Sequence, residues 1–250
     1  MEGLEQALLE LQRLTERLRR ECPWDREQTA RTIVPHTVEE AYEVADAALA
    51  GDDEKLLDEL GDLLYQVFFL SLLLEEKDLG DLSTVARGIH AKLVRRHPHI
   101  FGGAAAPPDA RAQYARWDEI KREQEGRDGI FHDVPESLPA LLYARKVQQR
   151  ARAVGFEYPD VEGALADLDD ELRELHADLT PEELGDVLFA AVNVARRLDA
   201  DPELELRRAA QRFRARVEVA EELARENGED WTALPLERQD RYFDLAKEKE

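Results

Sequence analysis

Four acidic residues in the first third of the chain have the spacing of a metal site carried on two helices. Glu40 and Glu43 are three residues apart, and so are Glu59 and Asp62; residues at that spacing share one face of a helix. The Gly and Asp residues at 51–53 predict a turn that folds the two helices against each other. The four carboxylates would then converge, with no Lys or Arg in either motif. Hard oxygen ligands of this kind favour Mg²⁺, with Mn²⁺ as the alternative, and these ions commonly bridge carboxylates to nucleotide phosphates.

A second acidic set in the other half of the chain repeats this arrangement, with Glu-Leu-Gly-Asp at 183–186 matching the same four residues at 59–62. Its members are Glu171, Glu174, Glu183 and Asp186. The set spans fifteen residues from its first to its last carboxylate, against twenty-two in the first set, so its turn is tighter. Connections of about two to five residues are enough for two antiparallel helices. We therefore expect a second metal site, although a solvated helix face is the simpler explanation of any single acidic pair.

The features around the two acidic sets recur in the same order, which predicts an internal duplication. An aromatic break precedes each set, and two basic residues four apart follow it, then an aromatic residue four before a lysine. In chain order these residues are Trp24, Lys92, Arg96, Trp117 and Lys121 in the first half, and Phe156, Arg212, Arg216, Phe243 and Lys247 in the second. The basic residues could hold phosphate or only complement helix dipoles, and the aromatic residues could stack on a base or only pack. Asn193, seven residues after Asp186, could contact a sugar or a base.

Amphipathic helices account for most of the sequence, so we expect an all-α protein. The charged fraction is 36%, with few Gly and Pro residues, as in helices with solvated outer faces. Two helix starts have the pattern of a capping box, one with Thr37 and Glu40 and one with Thr180 and Glu183. Capping is therefore an alternative explanation of Glu40.

The apolar run at 63–74 predicts a core helix. It is twelve residues long, whereas a membrane span needs about twenty. Because it is apolar nearly all round, we expect it to be buried on more than one side, in a bundle or at a helical dimer interface. The stretch 126–137, with its Gly and Pro residues, predicts a linker between an N-terminal domain at 1–125 and a C-terminal domain at 138–250.

Composition disfavours several other classes of protein. The formal net charge of −22 disfavours a nucleic-acid-binding surface, which needs Lys and Arg. A single cysteine, Cys22, allows no intramolecular disulfide and indicates a reducing compartment. The charged N-terminal segment is not expected to act as a secretory signal. There is no Gly-rich phosphate loop in the sequence. We therefore expect a cytoplasmic protein without nucleic-acid or membrane partners.

These residues resemble the MazG family of nucleoside triphosphate pyrophosphohydrolases, whose pattern is Glu-Glu-x-x-Glu followed at a distance by Glu-x-x-Asp. The first half matches this pattern fully, at 39–43 and 59–62. Four further stretches are similar to the family: Cys-Pro-Trp-Asp at 22–25, Arg-Arg-His-Pro-His at 95–99, Leu-Pro-Ala-Leu at 138–141 and Val-Gly-Phe at 154–156. The resemblance covers nearly the whole chain and includes the duplication.

The resemblance implies an intertwined homodimer in which each site lies in a four-helix arrangement. It also implies Mg²⁺-dependent hydrolysis between the α and β phosphates, which releases a nucleoside monophosphate and pyrophosphate. In tandem members the C-terminal half is generally associated with hydrolysis. The implied catalytic metal ligands are Glu171, Glu174, Glu183 and Asp186, with Arg212, Arg216 and Lys247 near phosphate and Phe243 near the base.

Three departures from the family pattern concern the second half. Asp170 stands where the first Glu is expected, the loop before Glu183 is short, and Arg212 and Phe243 replace the expected Lys and Trp. The short loop places Glu183 in the first helical turn, which makes its orientation the open point.

The expected activity is conversion of (d)NTP to (d)NMP with broad base tolerance, which would cleanse the nucleotide pool. Two alternatives stay open. One is a narrower enzyme, such as one acting on dUTP. The other is a non-catalytic helical regulatory protein that senses nucleotide or metal, because the intact first set need not hydrolyse anything.

Overall fold

The structure is a computed structural model that describes residues 2–109, 112–113, 116–117, 120, 129–131 and 134–249. Every regular element in these residues is a helix, which confirms the predicted all-α fold. The chain divides into two compact units, Met1–Ile120 and Lys121–Glu250. The domain boundaries at 125 and 138 stay predictions, and Lys121 lies outside the described residues. No described helix is long and apolar enough to cross a membrane.

Six helices are described in the first unit. They are α1 (Glu2–Glu21), α2 (Pro23–Glu27), α3 (Ala30–Ala50), α4 (Asp53–Glu75), α5 (Leu82–Arg96) and α6 (Pro98–Phe101). The pair α3 and α4 forms the main packing contact of the unit, and α1 and α5 also contact α4. The predicted pair of helices that carries the first acidic set is therefore present.

The predicted helix start at Thr37 is wrong, because α3 is already capped at Thr29. The hydroxyl of Thr29 accepts a hydrogen bond from the Thr32 amide, and the Thr29 amide donates to the Thr32 hydroxyl, which completes a capping box. Thr37 lies inside α3, where its hydroxyl contacts the side-chain oxygen of Gln66 on α4 at 3.3 Å. Capping therefore does not explain Glu40.

The turn between α3 and α4 follows the prediction. Gly51 ends α3 with a φ of 70°, in the left-handed region that glycine adopts without strain. Asp52 then caps α4, since its carboxylate accepts a hydrogen bond of 3.0 Å from the amide of Lys55. This short connection brings the two helices back against each other.

One face of α4 is in the core of the first unit. Phe69 is 0% exposed and packs with Ile33 and Leu73. A second face carries apolar residues at alternating spacings of three and four, which is typical of a coiled-coil seam. One position of this pattern, between Val67 and Leu74, is Ser71, which is 3% exposed. We call this apolar face the α4 stripe; its residues are Leu57, Leu60, Leu64, Val67 and Leu74, each between 39% and 75% exposed. The predicted burial of this helix on more than one side is thus only partly reached within its own unit.

The described helices of the second unit follow a similar order. They are α7 (Ala140–Ala153), α8 (Val161–Ala177), α9 (Pro181–Arg197), α10 (Pro202–Glu226) and α11 (Leu236–Lys247), with a short 3₁₀ turn at Trp231–Ala233. The helices α8 and α9 pack together, as do α10 and α11. An acidic helix is again followed by a short turn and an apolar helix, as in α3 and α4.

Replacing Phe69 with Ala should lower the free energy of unfolding by about 3–5 kcal/mol, because a fully buried aromatic side chain leaves a cavity. Urea denaturation followed by circular dichroism measures this loss. The matched control is Leu79→Ala; Leu79 is 69% exposed, and its loss should change stability by less than about 0.5 kcal/mol. Equal effects of the two substitutions would contradict the assigned core.

Candidate metal centres

The first acidic set forms a cluster on the facing surfaces of α3 and α4. Carboxylate oxygens of Glu40, Glu43 and Glu59 all lie within 4.8 Å of one another, close enough to share one cation. Asp62 is near enough to act electrostatically on both Glu40 and Glu59. The structure therefore brings together the four carboxylates that the spacing selects.

The electrostatics of the first cluster are those of crowded like charges. Burial, the Asp62 carboxylate and a hydrogen bond with Glu43 raise the pKa of Glu40. Burial and the Glu43 carboxylate raise the pKa of Glu59, which is 9% exposed. A raised carboxyl pKa means that the ionised form is unfavourable there, so the cluster favours a positive charge among its oxygens.

Neither acidic motif contains a Lys or Arg, but a lysine outside the motifs lies beside the first cluster. The ammonium of Lys55 lies 3.8 Å from a carboxylate oxygen of Glu59, one helical turn later on α4. It lowers the pKa of Glu59, against the effect of the neighbouring carboxylates. The sequence signal was present, because residues four apart on a helix are neighbours.

The second acidic set also forms a cluster, on α8 and α9. Oxygens of Glu171, Glu183 and Asp186 lie within 4.8 Å of one another. Glu174 acts electrostatically on Glu171 and Glu183 and is the fourth carboxylate of this region. Burial and the neighbouring carboxylates raise the pKa of both Glu171 and Glu183.

Glu183 points into the cluster although it lies in the first turn of α9. The hydroxyl of Thr180 accepts a hydrogen bond of 3.3 Å from the Glu183 amide, as the capping pattern predicts. The second hydrogen bond of the predicted capping box would join the Thr180 amide to the Glu183 carboxylate. The Thr180 amide instead donates to the carbonyl of Asp178. The carboxylate of Glu183 is thereby left to the metal-site cluster.

The candidate phosphate- and base-binding residues of the first unit follow the two helices, α3 and α4, that carry the acidic residues. Lys92 and Arg96 are in the second half of α5. The indole of Trp117 donates a hydrogen bond of 3.0 Å to the Arg96 carbonyl and meets the ring of His97 edge-on. Trp117 therefore packs against the end of α5, which is the simpler of its two interpretations.

The corresponding residues of the second unit lie on α10 and α11. Arg212 and Arg216 are on α10, and the ring of Phe243 packs against Phe213 with centroids 5.5 Å apart. The ammonium of Lys247 lies 4.9 Å from the centroid of the Phe243 ring. Phe243 and Lys247 thus form one surface group, in which an aromatic face and a positive charge are adjacent.

Asn193 lies on α9 but is 9% exposed. Its side-chain oxygen accepts a hydrogen bond from the guanidinium of Arg196. The amide oxygen is therefore engaged within the chain. The contact of Asn193 with a sugar or a base stays a prediction.

An acidic residue anchors each aromatic break, buried in the first unit and partly buried in the second, a feature that the sequence analysis missed. Glu157 receives two hydrogen bonds of 2.6 and 2.7 Å from the guanidinium of Arg196, and Arg152 and Arg197 lie 3.7 Å away. In the first unit Asp25 is 5% exposed and accepts a hydrogen bond of 3.1 Å from the hydroxyl of Tyr65. The signal was an acid directly after Trp24 and directly after Phe156.

These observations define the class: an all-helical protein with two carboxylate clusters, each carried on a packed pair of helices and each able to hold a divalent cation. A model of the MazG nucleotide pyrophosphohydrolase domain matches residues 28–101, which include the first cluster. The chain belongs to the MazG nucleotide pyrophosphohydrolase family.

Relatives match over both halves of the chain. The chain is 37% identical over 232 residues to the nucleoside triphosphate pyrophosphohydrolase/pyrophosphatase MazG of Thermotoga maritima. The matched region covers 90% of this chain and 89% of that protein. It is 38% identical over 241 residues to the nucleoside triphosphate pyrophosphohydrolase of Escherichia coli strain K12, at 92% and 91% coverage. The corresponding enzyme of Mycobacterium tuberculosis is 31% identical and covers 83% of this chain and 56% of that protein. The resemblance read from the motifs is thereby confirmed.

Replacing Glu157 with Gln should lower the free energy of unfolding by about 3 kcal/mol, because it leaves the buried guanidinium of Arg196 without its counter-ion. Urea denaturation at neutral pH measures the loss. The control is Glu222→Gln, whose ion pair with Arg225 is 61–75% exposed and should contribute less than about 1 kcal/mol.

The same pair predicts a pH dependence with a definite sign. The guanidinium of Arg196 holds the pKa of Glu157 below its ordinary value of 4.5. The stabilisation is therefore complete above the unfolded-state pKa and is lost as the pH falls below it, towards the lowered folded-state pKa. The stability difference between wild type and Glu157→Gln should shrink below about pH 4.5; a difference that stays constant into acid would contradict the assignment.

Proposed function

We propose that this protein hydrolyses nucleoside triphosphates to nucleoside monophosphates and pyrophosphate, with Mg²⁺ bound at the second cluster. The observation that carries the proposal is the cluster of Glu171, Glu183 and Asp186 in a chain related over most of its length to nucleoside triphosphate pyrophosphohydrolases. Broad tolerance of the base and a role in cleansing the cytoplasmic nucleotide pool belong to the proposal.

The donor set of the second cluster fits Mg²⁺. All of its ligand atoms are carboxylate oxygens, which suit Mg²⁺ and Mn²⁺ better than softer metals that take thiolate or imidazole. The raised pKa values of Glu171 and Glu183 also support cation binding, because a positive charge among these oxygens would relieve the repulsion between the carboxylates. A Mg²⁺ ion that keeps several waters can bind through a few carboxylates and the substrate phosphates.

A bound divalent cation supplies charge neutralisation for phosphate oxygens and lowers the pKa of a bound water. The carboxylates of α8 and α9 would hold that cation and orient the triphosphate. In the proposed reaction a water oxygen would bond to the α phosphorus as the bond from that phosphorus to the bridging oxygen breaks; pyrophosphate would leave with the bridging oxygen, and the water would give up a proton. Basic side chains on α10 and α11 would hold the remaining phosphate charge.

We further propose that the protein is a homodimer in which a second copy covers the α4 stripe. Coiled-coil seams have this spacing, and contiguous exposed apolar surface commonly marks an interaction site.

Two glycines in the Glu-Leu-Gly-Asp segments support a close approach from outside the chain. Glycine within a helix costs about 1 kcal/mol relative to alanine, yet a Cβ atom at Gly61 or Gly185 would meet no other atom of the chain within 4 Å. Packing in the chain itself does not explain either glycine. A partner helix or a bound nucleotide close to the backbone would explain both.

Incubation of the protein with each common NTP and dNTP and Mg²⁺ should release pyrophosphate and the monophosphate, measured by anion-exchange chromatography. Glu174→Gln should reduce the rate at least about a hundredfold, because the second cluster loses a carboxylate that orients the cation and the phosphates. Glu43→Gln is the matched control in the first cluster and should retain hydrolysis.

Three results would count against parts of the proposal. Release of orthophosphate alone would exclude cleavage between the α and β phosphates. Loss of activity only in Glu43→Gln would place hydrolysis at the first cluster. Nucleotide binding without any product would favour the non-catalytic sensing protein, and turnover of dUTP alone would favour the narrower enzyme.

Sedimentation velocity should show a dimer for the wild-type chain. Leu64→Lys places a charge in the centre of the α4 stripe and should shift the sedimentation towards the monomer, because the charge would have to be desolvated in the interface. Leu79→Lys changes an exposed leucine that lies after α4 and should leave the dimer intact. A wild-type monomer, or a dimer unaffected by Leu64→Lys, would exclude this interface.

A further inference from the structure

The position of Lys55 distinguishes the two carboxylate clusters. Its ammonium lies 3.8 Å from Glu59, whose side chain is 11% exposed, while the lysine side chain itself is 53% exposed. Its backbone is held in the first turn of α4 by the hydrogen bond from its amide to Asp52. The charge is therefore tethered at the solvent-facing edge of the first cluster.

The second cluster has no lysine at the matching position. The residue four before Glu183 is Leu179, which is 83% exposed and precedes the helix cap. After burial, the largest effects on the pKa of Glu183 come from acidic groups: Glu174, Asp186, Asp178 and Glu182. The two clusters thus differ by one positive charge beside an equivalent ligand.

We propose that Lys55 is a built-in counter-ion that weakens divalent-cation binding at the first cluster, so that the second cluster fills at a lower cation concentration. The inference rests on the function proposed above, with Mg²⁺ at the second cluster, and on the first cluster having three carboxylates close enough to share one cation. A divalent ion among the carboxylates is repelled by the ammonium, and it must also replace the attraction between Lys55 and Glu59. Because the lysine is half exposed, water and salt reduce the effect, and about a three- to tenfold difference in affinity is expected.

The effect on cation binding exceeds what the ion pair contributes to folding. An exposed pair at this spacing stabilises a helix only slightly. A divalent ion carries twice the charge of a lysine, so the same ammonium interacts with it more strongly at equal distance. Lys55 accordingly acts on the affinity for the cation through its charge, and it does not contact the substrate in this proposal.

The test is Mn²⁺ binding to the full chain without nucleotide, followed by isothermal titration calorimetry and by electron paramagnetic resonance of the free ion. Glu171→Gln together with Asp186→Asn removes two of the three close ligands of the second cluster, and in that background the first cluster is titrated alone. Lys55→Met should tighten this binding about three- to tenfold. Lys55→Arg keeps the charge and should bind as the parent does. Lys77→Met, which removes an exposed lysine beyond the end of α4, is the charge-matched control and should also bind as the parent does.

The outcomes separate this inference from the function on which it rests. Tighter binding in Lys55→Met, with Lys55→Arg and Lys77→Met unchanged, supports it. Unchanged binding in Lys55→Met, or an equal gain in Lys77→Met, overturns it while hydrolysis at the second cluster stands. Mn²⁺ binding at neither cluster of the wild type would overturn both this inference and the proposed metal dependence.

Discussion

Repulsion between carboxylates held close together is the constraint on which the structure depends. Helix packing forces oxygens from three acidic residues to within 4.8 Å of one another in each unit. Crowding and burial raise the pKa of the glutamates, so the ionised form is unfavourable unless a cation is present. Helix packing holds these carboxylates together in spite of their repulsion, as is expected of a site that binds a divalent ion.

The rest of each unit keeps the two ligand-bearing helices in register. A left-handed glycine and an aspartate cap return α4 against α3 in the first unit, and a threonine cap does this for α9 in the second. Each aromatic break is tied to the apolar helix by an acidic residue, although the partner is a tyrosine in one unit and an arginine in the other. The same mechanical task is thus performed by different chemistry in the two halves.

The two halves also differ where they meet a ligand. The first cluster has the full family pattern and a lysine beside it, whereas the second has an altered pattern, and acidic groups are the main charged neighbours of Glu183 among the described residues. The aromatic residue that follows is packed against a helix end in the first unit and lies beside a lysine in the second. Such differences are expected if one copy of a duplicated site hydrolyses nucleotide and the other has a separate role.

The sequence by itself determined the helical class, the family and the identity of the carboxylates, because helical spacing places residues three and four apart on one face whatever surrounds them. Only the tertiary structure decided which contacts those residues make. The Thr180 amide binds the carbonyl of Asp178, which leaves the side chain of Glu183 for the cluster, and α3 starts at Thr29 because a capping box with Thr32 forms there. The ion pair of Glu157 and Arg196 joins residues thirty-nine apart in the chain, and no local pattern encodes a contact between such distant segments.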